Sequence, residues 1–174
     1  KTYFVTGGAG FIGSAFVKQL LDREPDAKIV NYDALTYAGN LANLEGVDAE
    51  RYTFVRGDIC DRTAVIAAMP DGCNAVFNFA AESHVDRSIE SADEFLRTNV
   101  IGTQVLLDAS RSKDVARFVQ VSTDEVMGSL ADDSDDYFTE DSLMQPNSPY
   151  AASKAAAEFV VRAARETHSV DAVI

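Results

Sequence analysis

A chain of 174 residues with 47% hydrophobic and 25% charged residues is long enough for one domain with a real core and too short for two full ones. Its 28 Asp and Glu against 15 Lys and Arg give a net charge of −13, which removes any bulk attraction to DNA, RNA or anionic lipid. No apolar run approaches a membrane span, no signal peptide is expected before the first strand, and Cys60 and Cys73 form neither a metal-spaced pair nor a secreted disulfide framework; reduced thiols, no metal and a cytoplasmic setting are the expectation.

Tyr3-Phe4-Val5 is a short apolar run of aromatic and β-branched residues that reads as a buried strand. Ser14 to Arg23 carries Phe16, Val17, Leu20 and Leu21 at helical spacing. Between them lies Thr6-Gly7-Gly8-Ala9-Gly10-Phe11-Ile12-Gly13, in which Gly8, Gly10 and Gly13 fit G-x-G-x-x-G and Gly7, Gly10 and Gly13 fit a looser G-x-x-G-x-x-G. A glycine-rich turn between strand and helix permits close approach of a pyrophosphate to backbone N–H groups, with the positive helix end facing it. Dinucleotide binding is the expectation for this loop.

The next apolar run, Ile29 to Tyr32, ends at Asp33, about twenty residues past the last glycine, where an acid accepts hydrogen bonds from the adenosine ribose. Ala34 follows instead of an arginine that would hold a 2′-phosphate, which favours NAD over NADP. Tyr52 to Val55 makes a third strand running out at Gly57-Asp58, Thr63 to Met69 a helix, and Ala75 to Phe79 a fourth strand ending in the small pair Ala80-Ala81. Ser91 to Arg111 reads as one long helix interrupted by Gly102, and Val115 to Val121 as a fifth strand reaching Ser122-Thr123-Asp124-Glu125. An acidic stretch from Ala131 to Ser142 reads as a solvated loop, Pro149-Tyr150 opens an alanine-rich helix, and Asp171 to Ile174 begins a sixth strand. This alternation predicts a doubly wound parallel sheet, strand order 3-2-1-4-5-6, with helices on both faces.

Ligands of such a sheet collect at the carboxyl ends of its strands. Three ends carry chemistry-bearing residues: Glu82-Ser83-His84, Thr123-Asp124-Glu125, and Tyr150 beyond the acidic loop. Tyr150 and Lys154 stand four apart and share a helix face. A free tyrosine titrates near 10, so service as a base requires a neighbouring ammonium and the positive ring of an oxidised nicotinamide. Asp124 and Glu125 would point to opposite faces of a regular strand, so they meet one ligand only if the strand has already ended. Two convergent carboxyls would then divide into an acid and a base.

Thr6 to Gly13, Tyr150-Ala151-Ala152-Ser153-Lys154 and the strand–helix alternation resemble the extended short-chain dehydrogenase/reductases. Leu35-Thr36-Tyr37-Ala38-Gly39-Asn40, Ala80-Ala81-Glu82-Ser83-His84-Val85-Asp86-Arg87-Ser88-Ile89 and Ser122-Thr123-Asp124-Glu125-Val126 resemble, more narrowly, the dTDP-glucose 4,6-dehydratases. That resemblance implies C4 oxidation of a nucleotide-bound glucose by tightly held NAD with Tyr150 taking the O4 proton. Removal of the C5 hydrogen by Glu125, protonation of the departing C6 hydroxyl by Asp124 and hydride return to C6 follow. It also implies contacts to NAD from Phe11-Ile12, Asp33 to Thr36, Asp58-Ile59, Phe79 to Ser83, Thr98 and Lys154, and contacts to the sugar from Ser83 and Thr123.

Met127 departs from the family pattern, which has Tyr there, and the family continues beyond Ile174 into a substrate domain, so residues 1–174 are expected to be the NAD-binding Rossmann domain. The resemblance to a dehydratase accounts for the acid pair, since a simple 4-epimerase needs Tyr and Lys but no elimination acid; an epimerase or decarboxylase of another sugar nucleotide and a non-catalytic NAD-binding module are the alternatives. The helices around Ser91 to Arg111 and Tyr150 to Glu166 are too apolar for one-sided burial, with Ala155, Ala156, Ala157, Val160, Val161, Ala163 and Ala164 surrounding the second. They predict a homodimer joined by a four-helix bundle.

Overall fold

The computed structural model describes residues 1–131 and 135–174. Strands β1 (Thr2–Thr6), β2 (Lys28–Asp33), β3 (Tyr52–Arg56), β4 (Ala75–Asn78), β5 (Phe118–Gln120) and β6 (Ala172–Val173) form one sheet in the order β3-β2-β1-β4-β5-β6. Every neighbouring pair is parallel, which is the doubly wound order expected from the sequence. Because successive strand residues point to opposite faces, β1 sends Phe4 into one core layer and Tyr3 and Val5 into the other.

The Phe4 layer also holds Tyr32, Val76, Leu106, Leu107, Phe118 and Val161. It is closed by α2 (Arg62–Ala68), α5 (Thr103–Ser112) and α6 (Pro149–His168), with α5 lying between and against the other two. The Val5 layer is closed by α1 (Phe11–Arg23) through Val17 and Leu21. Helix starts follow capping chemistry: the Asp61 carboxylate accepts from Ala64 N at 3.0 Å, and Ser148 Oγ accepts from Ala151 N at 3.0 Å just ahead of Pro149. Helix α1, by contrast, begins on Gly10 with no side-chain cap, leaving its first amides available to a ligand.

Three local differences from the sequence reading bear on the site. The long helix expected over Ser91 to Arg111 is split into α4 (Asp93–Phe95), a π-helical stretch Leu96–Gly102, and α5. A β-carbon at Gly102 would collide with Ile59 Cδ1, so the helix packs there at backbone distance. The widened turn carries Asn99 inward, and such turns recur at functional sites. A further short helix, α3 (Val85–Glu90), follows the fourth strand end, which the sequence reading left irregular. The fifth strand shortens from Val115–Val121 to β5, because its chain end turns into a 3-10 segment at Asp124–Met127. In the acidic stretch, Asp132, Asp133 and Ser134 lie outside the described residues, while Asp135, Glu140 and Asp141 are exposed as expected.

Two glycines test whether close packing, rather than backbone conformation alone, governs the loop after β1. Gly7 (φ +69°) would bring a β-carbon to 2.6 Å from Ala80 N, whereas Gly46 (φ +83°) faces open space. Left-handed conformation alone costs an L-residue roughly 1–2 kcal/mol. Gly46→Ala should lose about that much in urea unfolding, and Gly7→Ala should lose clearly more; equal losses would show that the β4 exit yields.

Candidate active site

The site is built at the carboxyl edge, where β1 and β4 diverge. The glycine loop is pressed there from three sides: a β-carbon at Gly8 would strike Asn31 Oδ1, one at Gly13 would strike the Gly7 carbonyl oxygen, and Gly7 lies on Ala80. Gly7 and Gly13 belong to the looser glycine spacing and are required sterically, while Gly10 is the N-cap of α1. Phe11 and Ile12, 88% and 62% exposed, flank the uncapped helix start.

Asp33, at the end of β2, is buried and clamps two backbone amides: Oδ2 accepts from Ala9 N at 2.9 Å and Oδ1 from Leu35 N at 2.8 Å. Each oxygen keeps a second lone pair for a ligand hydroxyl. Gly7, Gly10, Phe11, Ile12, Gly13, Asp33, Ala34 and Thr36 line a cavity of about 400 Å³ from one side. Asp58, Ile59, Phe79, Ala80, Ala81, Glu82, Ser83, Thr98, Tyr150 and Lys154 line it from the other. Of the residues expected at the cofactor, Leu35 alone does not line it; its backbone is left-handed (φ 53°) and serves Asp33 instead. A cavity of this size suits a dinucleotide part or a small ligand. A broader groove beside Lys18 and Arg51 lies at the amino edge, where Arg51 is committed to the carbonyls ending α1.

The floor of the cavity is a buried polar column. Thr6 Oγ1 donates to Asn78 Oδ1 (2.6 Å), and Asn78 Nδ2 donates to Gln120 Oε1 (2.9 Å), so three strands are tied edge to edge. Asn99, on the π turn, accepts from Glu82 N (2.9 Å) and donates to Glu82 O (3.0 Å) and Ser153 Oγ (2.8 Å). Ser153 Oγ donates to Tyr150 O, and Tyr150 N donates to Ser88 Oγ of α3. The sequence reading missed Asn99, since an inward polar residue is not distinguishable by period from an outward one when a turn is widened. Glu82 Oε2 is buried in the cavity wall without a hydrogen-bond partner, its nearest cation being Arg87 Nη1 at 3.8 Å. An orphan carboxylate oxygen there is a ready acceptor for a ligand donor.

Tyr150 and Lys154 do share a face of α6, both buried at the cavity. Beyond β5 the chain has turned, with Thr123 Oγ1 accepting from Glu125 N at 3.3 Å, and this turn answers how adjacent acids can serve one site. Thr123, Asp124 and Glu125 stand outside the cavity lining but act on the Tyr150 phenol. Burial first, then the Glu125 charge and more weakly that of Asp124, push the phenol above its usual range; the Thr123 hydroxyl opposes them. These groups therefore keep Tyr150 protonated, and the expected pull toward phenolate is left to the Lys154 ammonium and the positive ring of a bound cofactor.

Lys154 is 5% exposed and donates from Nζ to Val121 O at 2.6 Å. Burial lowers it to about 8, with Glu158 pulling the other way. Glu158, one turn further along α6, is a buried acid the sequence reading passed over, although its spacing of four from Lys154 signals a shared face. Two residues of the family-like stretches, Tyr37 and Arg87, meet outside the cavity lining: the Arg87 guanidinium lies 4.4 Å from the Tyr37 ring centre.

A lysine titrating near 10.4 when unfolded and about 8 when folded is charged in both states at pH 7, so its full burial cost weighs against folding there. Stability from this group rises between the two values, where only the unfolded chain holds the proton. Lys154→Met should therefore raise the unfolding free energy at pH 7 by roughly 1–3 kcal/mol, with the gain shrinking from about pH 8 upward and gone by about pH 10. Urea unfolding at both pH values measures this, and a loss at pH 7 would mean that the bond to Val121 outweighs the burial cost.

Among curated relatives, the low-salt glycan biosynthesis protein Agl12 of Haloferax volcanii is 53% identical over 171 residues, covering 98% of this chain and 54% of the relative. A dTDP-glucose 4,6-dehydratase of Streptomyces griseus is 52% identical over 170 residues, 96% of this chain and 50% of its own. Among solved structures, the dTDP-glucose 4,6-dehydratase DesIV of Streptomyces venezuelae, determined with NAD bound, matches with a TM-score of 0.91 at 51% identity, over 99% of this chain and 54% of that one. The chain thus spans about half the length of the curated relatives it matches. Residues 4–174 match the family model described as GDP-mannose 4,6 dehydratase, and the chain belongs to that family.

Proposed function

We propose that the protein carrying this chain dehydrates a nucleoside-diphosphate glucose, best read as dTDP-glucose, to its 4-keto-6-deoxy form with bound NAD. The observation that carries the reading is the turn at Asp124–Met127, which sets two carboxyl side chains within electrostatic reach of the buried Tyr150. An oxidation or epimerisation at C4 needs the tyrosine and lysine; an acid pair beside them is what elimination of water adds. The named relatives at 52% and 51% identity are dTDP-glucose 4,6-dehydratases, which points the same way.

The residues present fit NAD. Three glycines leave no room for a β-carbon where a pyrophosphate would approach, α1 starts uncapped, and Glu82 Oε2 lacks a hydrogen-bond partner. The amides of Phe11 and Ile12 would hold the pyrophosphate and Asp33 the adenosine ribose, with Lys154 beside the nicotinamide end. NAD when bound supplies a hydride acceptor for C4, a donor for C6 and a positive ring beside the phenol. Tyr150 then takes the proton from the sugar O4, with Ser83 and Thr123 holding the sugar. The 4-ketone acidifies the C5 hydrogen, which Glu125 removes as carboxylate, while Asp124 delivers a proton to the departing C6 hydroxyl. Glu125 is half-buried and Asp124 exposed, an asymmetry that suits a base held in place and an acid recharged from solvent.

The same reading assigns a homodimer. Leu96 and Ile101 on the π stretch and Phe159 on α6 are 47%, 55% and 56% exposed, a row of large apolar side chains along two packed helices. A four-helix bundle between two copies would cover them. Cys60 and Cys73 are free, and no described helix is long and apolar enough to cross a membrane; a nucleotide-sugar substrate fits a cytoplasmic setting.

Two experiments on the full-length protein test these assignments. In single turnovers, Glu125→Gln should keep C4 oxidation yet lose exchange of the C5 hydrogen with solvent deuterium. Asp124→Asn should exchange C5 but not expel water, and Tyr150→Phe should suppress everything; each loss should be ~10²–10⁴-fold. Wild-type C5 exchange in Glu125→Gln would place the base elsewhere. For the dimer, Phe159→Glu should sediment as a monomer, and a retained dimer would move the interface off α6.

A further inference from the structure

We propose that Glu158 is a positioning residue for this reaction, acting through Lys154: its buried carboxylate fixes the end of β5 that receives the Lys154 ammonium and supplies the counter-charge that keeps that ammonium in place. This rests on the reading of Tyr150 and Lys154 given above, and adds a residue that touches neither sugar nor cofactor.

The geometry is a closed loop across the two elements. Glu158 is 6% exposed, and its Oε1 accepts from Ser122 Oγ at 2.6 Å, among the shortest side-chain bonds in the molecule. Its Oε2 accepts from Arg162 Nη2 at 3.2 Å, one turn further out. Ser122 follows Val121, whose carbonyl receives Lys154 Nζ, so the strand end is held to α6 from both sides: lysine to carbonyl, serine to carboxylate. Val121 O also takes a weaker bond from Gln120 Nε2 at 3.4 Å, which joins this loop to the polar column beneath the site. Pulling Ser122 away would tilt the Val121 carbonyl and with it the ammonium.

Charge gives the second half of the argument. An ammonium buried to this extent is unfavourable unless a counter-charge lies near. Tyr150 stands beside Lys154 on α6, while Asp58 with its partner Arg97, Glu82 and Glu94 face the same cavity from the other elements. Among the described residues, Glu158 is the group whose charge opposes the loss of the Lys154 proton, while Asp124 and Glu125 act on Tyr150. Arg162, paired with Glu158 at the surface side, has an exposed side chain and so leaves the carboxylate's field directed inward only partly screened.

The test is Glu158→Gln in the full-length protein, whose amide keeps an oxygen for Ser122 but carries no charge. The ratio of variant to wild-type kcat should fall about sixfold between roughly pH 6.5 and pH 8.5, because the lysine loses its proton about one pH unit earlier. Glu158→Asp, which keeps the charge, should restore most of the alkaline limb. A uniform loss across that range, or none, would overturn the proposal, since a merely structural residue has no reason to move the limb. If Glu158→Gln does not fold, the same change is made in the Lys154→Met background: folding of the double variant supports the counter-charge role, and failure of both overturns it. Absence of dehydratase turnover in the wild type would sink the functional reading instead, and the two failures are told apart by that control.

Discussion

The structure depends on one side chain at the centre of its carboxyl edge. Asn78 is the last residue of β4, between β1 and β5; its amide oxygen accepts from Thr6, and its Nδ2 donates to Gln120 and, at 3.4 Å, to Thr103. In a sheet buried on both faces, hydrogen bonds of this kind are strong because water cannot compete, and costly to leave unmade for the same reason. The strands therefore end in fixed register where the chain must present loops to a ligand. From Thr103 the order passes to Asn99 through a 2.7 Å bond, from Asn99 to Ser153, and so to the backbone of Tyr150. The start of α6, with the buried Tyr150, is thus referenced to the sheet centre by side chains rather than by loop packing.

The same edge carries a conflict between stability and chemistry. A hydrophobic residue at position 154 would sit more comfortably under the sheet end, and a tyrosine without Glu125 nearby would titrate lower. Lys154 is held charged against its burial, whereas the surroundings of Tyr150 favour its neutral phenol and resist the phenolate. The acid at 158 and the carbonyl of Val121 offset part of that cost for the lysine. For the tyrosine, among the described residues, the Thr123 hydroxyl is the opposing influence.

How much could be read beforehand follows from what leaves a pattern in one dimension. Strand order, the glycine loop, Asp33 and the Tyr150–Lys154 pair are local or periodic features, and they were legible because glycine spacing and apolar alternation are short-range signals. The turn at Asp124 was legible only as a condition, since two adjacent acids on a strand face opposite ways. Asn99 was not legible, because the π stretch shifts the helical phase by one residue and no composition change marks it. Glu158 hid for another reason: in an alanine-rich helix a lone acid reads as a solvated position, and only the approach of Ser122 from a distant strand buries it. The short helix α3 likewise forms through Ser88, whose hydroxyl serves both Val85 O and Tyr150 N, a pairing 62 residues apart.

Asp33 shows how one group can make two loops a single mechanical body. Its two oxygens hold Ala9 in the glycine loop and Leu35 in the turn after β2, and the Ala9 carbonyl in turn receives Asn40 N at 3.0 Å and Asn43 Nδ2 at 3.1 Å. Leu35 remains in a left-handed conformation that an unrestrained leucine leaves, so detaching the carboxylate releases both ends together. Opening is then cooperative rather than sequential: the amides of Ala9 and Leu35 exchange with solvent through one common event, and a ligand hydroxyl that settles on Asp33 quenches the fluctuations of both loops at once.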